Sequence, residues 1–142
     1  MHVEGGVKIH EIPKVLVVDW NDSVKSMIDT WSSYIITVAQ FREAIMEKGV
    51  SYAKAHGGRA WIMDASKAKG AFPQDVQKLI ETEVFKTFAA IGVKHFLTIK
   101  SETSALTNMA IGVYTANLGP HGIQMVDVPD QKTAISWLMA HR

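Results

Sequence analysis

The stretch ITVAQFREAIMEKGVSYAKAHGGRAWIM, residues 36–63, decides the fold. Thr37 is placed to cap a helix, and Gln40 three residues on completes a capping box. Ile36 before the cap and Phe41 at the fourth helical position supply the hydrophobic staple. Phe41, Ala44, Ile45 and Tyr52 fall near one face, and Gly57-Gly58 end the helix. Ala60-Trp61-Ile62-Met63 follows as an unbroken apolar run, the pattern of a strand covered on both faces. A helix that leads straight into such a strand predicts an α/β domain.

Working towards the N-terminus, Val15-Leu16-Val17-Val18-Asp19-Trp20 reads as a strand, and Asn21-Asp22 are turn formers. Residues 24–31 alternate loosely and close on Thr30-Trp31, so the two segments form an opening hairpin. Working towards the C-terminus, a polar loop spans residues 64–70. Pro73 then suits the first turn of a second helix, with Val76, Leu79, Ile80, Val84, Phe88 and Ile91 at helical spacing and Gly92 at its end. Residues 93–99 are a strand. Ser101 or Thr103 caps a third helix, which ends at Leu118-Gly119-Pro120. Residues 123–128 are the last strand, and Pro129-Asp130 start a fourth helix that turns Ala134, Ile135 and Leu138 inward. The expectation is one mixed sheet of about five strands, an antiparallel hairpin followed by parallel strands, with about four helices. One domain accounts for residues 1–142, with residues 1–12 as a loose N-terminal segment.

Composition excludes several classes. Lys and Arg number 15 against 14 acidic residues, a net charge of +1, and no run of like charge occurs. A nucleic-acid binder needs a basic excess that this chain does not show. There is no cysteine, which removes disulfides, thiolate metal sites and cysteine nucleophiles. No signal peptide opens the chain, and the apolar runs fall short of the ~20 residues of a membrane span. A soluble cytoplasmic protein is expected.

The ordered pieces Thr30-Trp31-Ser32-Ser33-Tyr34-Ile35, Phe41-Arg42-Glu43, Trp61-Ile62-Met63-Asp64, Gly92-Val93-Lys94 and Ala134-Ile135-Ser136-Trp137-Leu138 resemble the SpoIIAA-like proteins, the STAS/SEC14-type domains. The resemblance runs from about Lys14 to the C-terminus. It implies a four- or five-stranded sheet with helices, a regulatory or ligand-binding role without catalysis, and a bacterial cytoplasmic setting. Members that antagonise anti-sigma factors carry a phosphorylated serine at the start of the helix after the central strand. Asp64-Ala65-Ser66 resembles the segment that precedes it. The same interval forward lands on Phe72-Pro73-Gln74-Asp75, which offers no hydroxyl, so the phosphoacceptor does not carry over.

In open α/β sheets ligands sit beyond the carboxyl ends of the parallel strands. Those ends present Asp64 and Ser66, flanked by Lys67 and Lys69, and then Lys100, Ser101, Glu102 and Thr103. The start of the third helix adds free N–H groups that suit a small anion. A local turn at Asp64-Ser66 and a plain helix cap at Ser101 or Thr103 explain the same residues without a ligand.

His2, His10, His56, His95, His121 and His141 include no pair at the i, i+4 spacing of a helical metal site, and structural or surface roles are expected for all six. No nucleophile elbow, phosphate-binding loop or dinucleotide fingerprint occurs. No cofactor or metal is expected. Trp20, Trp31, Trp61 and Trp137 are expected in the core, with a Trp31–Tyr34 partner-binding patch at the sheet edge as the alternative. Ala105, Leu106, Met109, Ala110, Ile111, Gly112, Val113 and Ala116 make the third helix apolar all round, for burial or for a homodimer.

Three functions follow in order. The first is a regulatory or scaffold domain that binds a protein partner. The second is a carrier of a small molecule, anion or lipid. The third is an enzyme drawing on Asp64, Lys100 and Glu102.

Overall fold

The computed structural model describes residues 6–100 and 119–141. They form one six-stranded mixed sheet in the order β1-β2-β3-β4-β5-β6, with β1 at Gly6–Ile12, β2 at Leu16–Asn21, β3 at Ser26–Trp31, β4 at Ala60–Asp64, β5 at His95–Ile99 and β6 at Gln124–Val128. The β1–β2 and β2–β3 pairs are antiparallel, and the pairs from β3 to β6 are parallel. The mixed sheet with an opening hairpin is as expected.

The sheet has six strands rather than about five. The extra one is β1, inside the segment expected to be loose. Its register slips between Lys8 and His10, so Ile9 is an extra residue on that strand. A bulge of this kind breaks the two-residue alternation by which a strand is read from sequence.

Helix α1 runs from Val38–Phe41, through π-type turns over Arg42–Gly49, to Val50–His56. Its capping box forms as expected: Thr37 Oγ1 accepts from the Gln40 N–H, and Gln40 Oε1 accepts from the Thr37 N–H, both at 3.1 Å. Gly57 ends it in the left-handed region at φ 72°. Gly49, in the wide turns, lies against Trp61, where an added Cβ would fall 3.0 Å from the indole ring. The absence of a side chain lets the helix settle on that tryptophan.

Helix α2 spans Gln74–Leu79, a π-type stretch Ile80–Val84, and Phe85–Ala90, with Pro73 at its cap position. Helix α3 covers Gln131–Ala140, and its Asp130 cap accepts from the Thr133 N–H at 2.7 Å. The expected third helix, with its proposed Ser101 or Thr103 cap and its dimer face, lies outside the described residues. Among the described residues, no helix is long and apolar enough to cross a membrane.

The two faces of the sheet bury different cores. On β4, Trp61 and Met63 join Trp20, Met27, Trp31 and Phe96 beneath Phe41, Ala44, Ile45, Val76, Leu79, Phe85 and Phe88 of α1 and α2. Ala60 and Ile62 join Ile28, Leu97, Ile99 and Val128 against Ala134 and Leu138 of α3. Both faces of β4 are therefore covered, which is why all five of its residues are buried.

Candidate functional site

At the carboxyl edge of the sheet, β4 delivers Asp64 to the α3 side. Its Oδ1 accepts from the Ser66 N–H at 3.0 Å and from the Ser66 hydroxyl at 2.6 Å, the local turn that the sequence allows. Its Oδ2 accepts from Gln131 Nε2 at 2.8 Å. Gln131 is 67 positions away in sequence, and no spacing pattern points to it.

Lys67 and Lys69 are exposed. Lys69 contributes its backbone instead: its carbonyl accepts from the Tyr34 N–H at 3.0 Å, and a parallel bridge joins Ser33 to Lys69. Lys100 pairs with Asp127 at 2.8 Å. Ser101, Glu102 and Thr103 lie outside the described residues. The structure thus brings Asp64 and Ser66 together, and leaves the side chains of Lys67 and Lys69 in solvent.

A second group on the other face was not read from the sequence. On β3, Met27, Asp29 and Trp31 share the face that packs under α1 and α2, so the carboxyl of Asp29 points into an apolar core. Asp29 is 3% exposed. Trp31 Nε1 donates to its Oδ2 at 2.5 Å, and Trp61 Nε1 donates to its Oδ1. Each indole has a single N–H, and both are committed to this one carboxyl. Burial pushes Asp29 up to about 7, against the two indole bonds that hold it down, and the nearby charge of Asp64 adds to the rise. The cue was present in Met27-Ile28-Asp29-Thr30-Trp31: an acid at an inward position of a strand.

Two hydroxyls complete the group. Tyr34 is fully buried, stacked on Phe72 at 4.1 Å and edge-on to Trp31 at 5.4 Å. Trp31 and Tyr34 therefore lie in the core, as expected, and the alternative of a patch at the sheet edge does not hold, because Phe72 packs on both rings and Phe41 on Trp31. Among the described residues the Tyr34 hydroxyl has no hydrogen-bond partner. Burial drives its pKa far above the usual tyrosine value, with Asp29 and Asp64 reinforcing the rise. Thr98 is likewise fully buried, its hydroxyl unpartnered among the described residues. The register Asp29↔Met63↔Thr98 sets it in the same cross-strand row as Asp29. Each buried, unpartnered hydroxyl costs about 1–3 kcal/mol. A fold that keeps two of them on the face that buries the Asp29 carboxyl, Thr98 two strands away from it across Met63, holds hydrogen-bonding capacity that the described core does not use.

At the opposite edge, Arg59 and Lys94 directly precede β4 and β5, and the Lys94 N–H donates to the Arg59 carbonyl at 2.8 Å. His95 opens β5 and meets the edge of Trp137 at 5.1 Å. Trp137 in turn stacks on His141 at 3.7 Å. Among the described residues, no group of three or more His, Asp or Glu side chains is arranged to hold a metal ion.

No family model, no curated protein and no solved structure matches the chain.

Proposed function

We propose that this chain is a binding domain without catalysis, whose ligand is a small hydrogen-bonding molecule received at the carboxyl edge under α1 and α2. The observation that carries the reading is the pair of fully buried hydroxyls of Tyr34 and Thr98, unpartnered among the described residues, on the sheet face that also buries the Asp29 carboxyl. Residues 65–73 carry Phe72 over Tyr34, and the Ser33–Lys69 bridge is one of the ties that hold this connection down. Displacing it opens the way to Tyr34. The ligand-binding side of the SpoIIAA-like resemblance, together with its cytoplasmic setting, supports the same reading. So does the engagement of Asp64 by Ser66 and Gln131, and of Lys100 by Asp127, which occupies groups an acid–base reaction would draw on.

The test is native mass spectrometry of gently purified protein beside the variants Tyr34→Phe and Thr98→Val. Wild type carries a non-covalent small-molecule adduct, and both variants lose it. Stripped of ligand, Tyr34→Phe is more stable than wild type by about 1 kcal/mol, because an unpaired buried hydroxyl has gone. A wild type without adduct, or variants that keep it, would overturn the proposal.

A second reading, the docking of a protein partner at this edge, is favoured by Ile35. Its side chain is 68% exposed and packs near Gly70 of the same connection. Under that reading Ile35→Ser abolishes partner binding and leaves the adduct intact.

A further inference from the structure

A cavity of about 230 Å³ opens at the amino ends of the parallel strands, across the sheet from the Tyr34 hydroxyl. Arg59, Lys94, His95 and His141 surround it, and among the described residues no carboxylate lines it. Its floor is apolar, made by the buried side chains of Val24, Ala60 and Leu138. The backbone that carries the basic groups is fixed there by the fold. The ladder continues past the strand ends, where the Lys94 N–H donates to the Arg59 carbonyl and the Gln124 N–H to the Lys94 carbonyl at 2.9 Å. That sets the backbones of Arg59 and Lys94 side by side. The His95–Trp137–His141 ring ladder brings the end of α3 to the same place, and the Trp137 carbonyl lies 2.7 Å from His141 Nδ1.

None of these four cationic or ionisable groups belongs to an ion pair among the described residues, whose pairs are Lys8–Glu11, His10–Glu43, Lys25–Asp22, Arg42–Glu83 and Lys100–Asp127. The Nδ1 atom of His95 is buried and has no hydrogen-bond partner among the described residues. An adjoining open groove shares Lys94 and His95 and adds His121, again without an acid among the described residues. The cations of Arg59 and Lys94, gathered at an apolar floor with no counter-charge among the described residues, repel each other until an anion enters.

We propose that this cavity binds a small organic anion, its carboxylate or phosphate held by Arg59 and Lys94 and its apolar part laid on Val24, Ala60 and Leu138. The volume lies below the ~300–1,000 Å³ of sites for drug-sized ligands, so the anion is small. Arg59 offers the planar fork that matches either headgroup, and Lys94 adds a point charge. The site is separate from the carboxyl-edge group and stands whether or not that group binds a ligand.

The experiment is NMR titration of the full chain with hexanoate, phenyl phosphate and, as controls, acetate and inorganic phosphate. Hexanoate or phenyl phosphate gives saturable shifts centred on Arg59, Lys94 and His95, and whichever binds tighter identifies the headgroup. Each binds better than its control, because the controls cannot use the apolar floor. The exposed substitutions Arg59→Gln and Lys94→Gln each weaken binding about tenfold or more without disturbing the fold. Burial, together with the charges of His141, Lys94 and Arg59, lowers the His95 pKa, opposed by a hydrogen bond with Gln124. A bound anion therefore moves the His95 titration upward. Failure of both organic probes to saturate at millimolar concentration would overturn the proposal. So would binding that ignores both substitutions, or controls that bind as well as the organic probes.

Discussion

Asp29 shows how one residue couples the core to pH. Its carboxyl is protonated in both states below the ordinary aspartate range, and there it contributes no pH dependence. Between that range and about 7 the folded state keeps its proton while the unfolded chain releases it. The folded state then binds more protons, so stability falls as pH rises through this window. The expected loss is on the order of a few kcal/mol. Chemical denaturation of wild type and Asp29→Asn across pH 4 to 8, on the order of one-unit steps, checks it. The wild-type advantage over the variant shrinks as pH rises, because an amide cannot ionise. Parallel curves would remove Asp29 as the cause. The amide also turns an N–H towards one of the two indoles, so the variant is the less stable protein at the acid end.

Among the elements, α1 is the one whose construction was most legible. The cap at Thr37, the box closed by Gln40 and the stop at Gly57 are local chemistry, and each formed as read. Thr37→Ala is expected to cost about 1 kcal/mol in denaturant unfolding. The wide turns over Arg42–Gly49 were not legible, because they answer to a tertiary contact rather than to propensity. Gly49 faces Trp61, and Trp61 is fixed by its bond to Asp29. Gly49→Ala is therefore expected to destabilise by roughly 1–3 kcal/mol, although alanine is the better helix former, since the indole cannot retreat without releasing the carboxyl. A stabilised Gly49→Ala protein would show that Trp61 is free to move. Strand β1 stayed hidden for a different reason, the bulge at Ile9 that splits its alternation.

Across the whole molecule, the class of fold was readable because hydrophobic period and helix punctuation recur in order along the chain. The candidate site was readable only in part. Asp64 and Ser66 were reached through the rule that strand ends gather ligands, and they proved to form a closed local turn extended by Gln131. Tyr34 and Thr98 carry no sequence signal, since a tyrosine after a strand and a threonine within one are ordinary residues until their hydroxyls are seen to lack partners. The basic rim at the other edge was equally silent, because Arg59, Lys94, His95 and His141 meet only through the parallel register and the return of α3. The central claim is that the fold keeps Tyr34 and Thr98 unsatisfied for a ligand. A high-resolution crystal structure of protein purified without stripping tests it most directly. The account predicts density for a small molecule within hydrogen-bonding distance of the Tyr34 hydroxyl or the Thr98 hydroxyl. A single ordered water there, or no density at all, would contradict it.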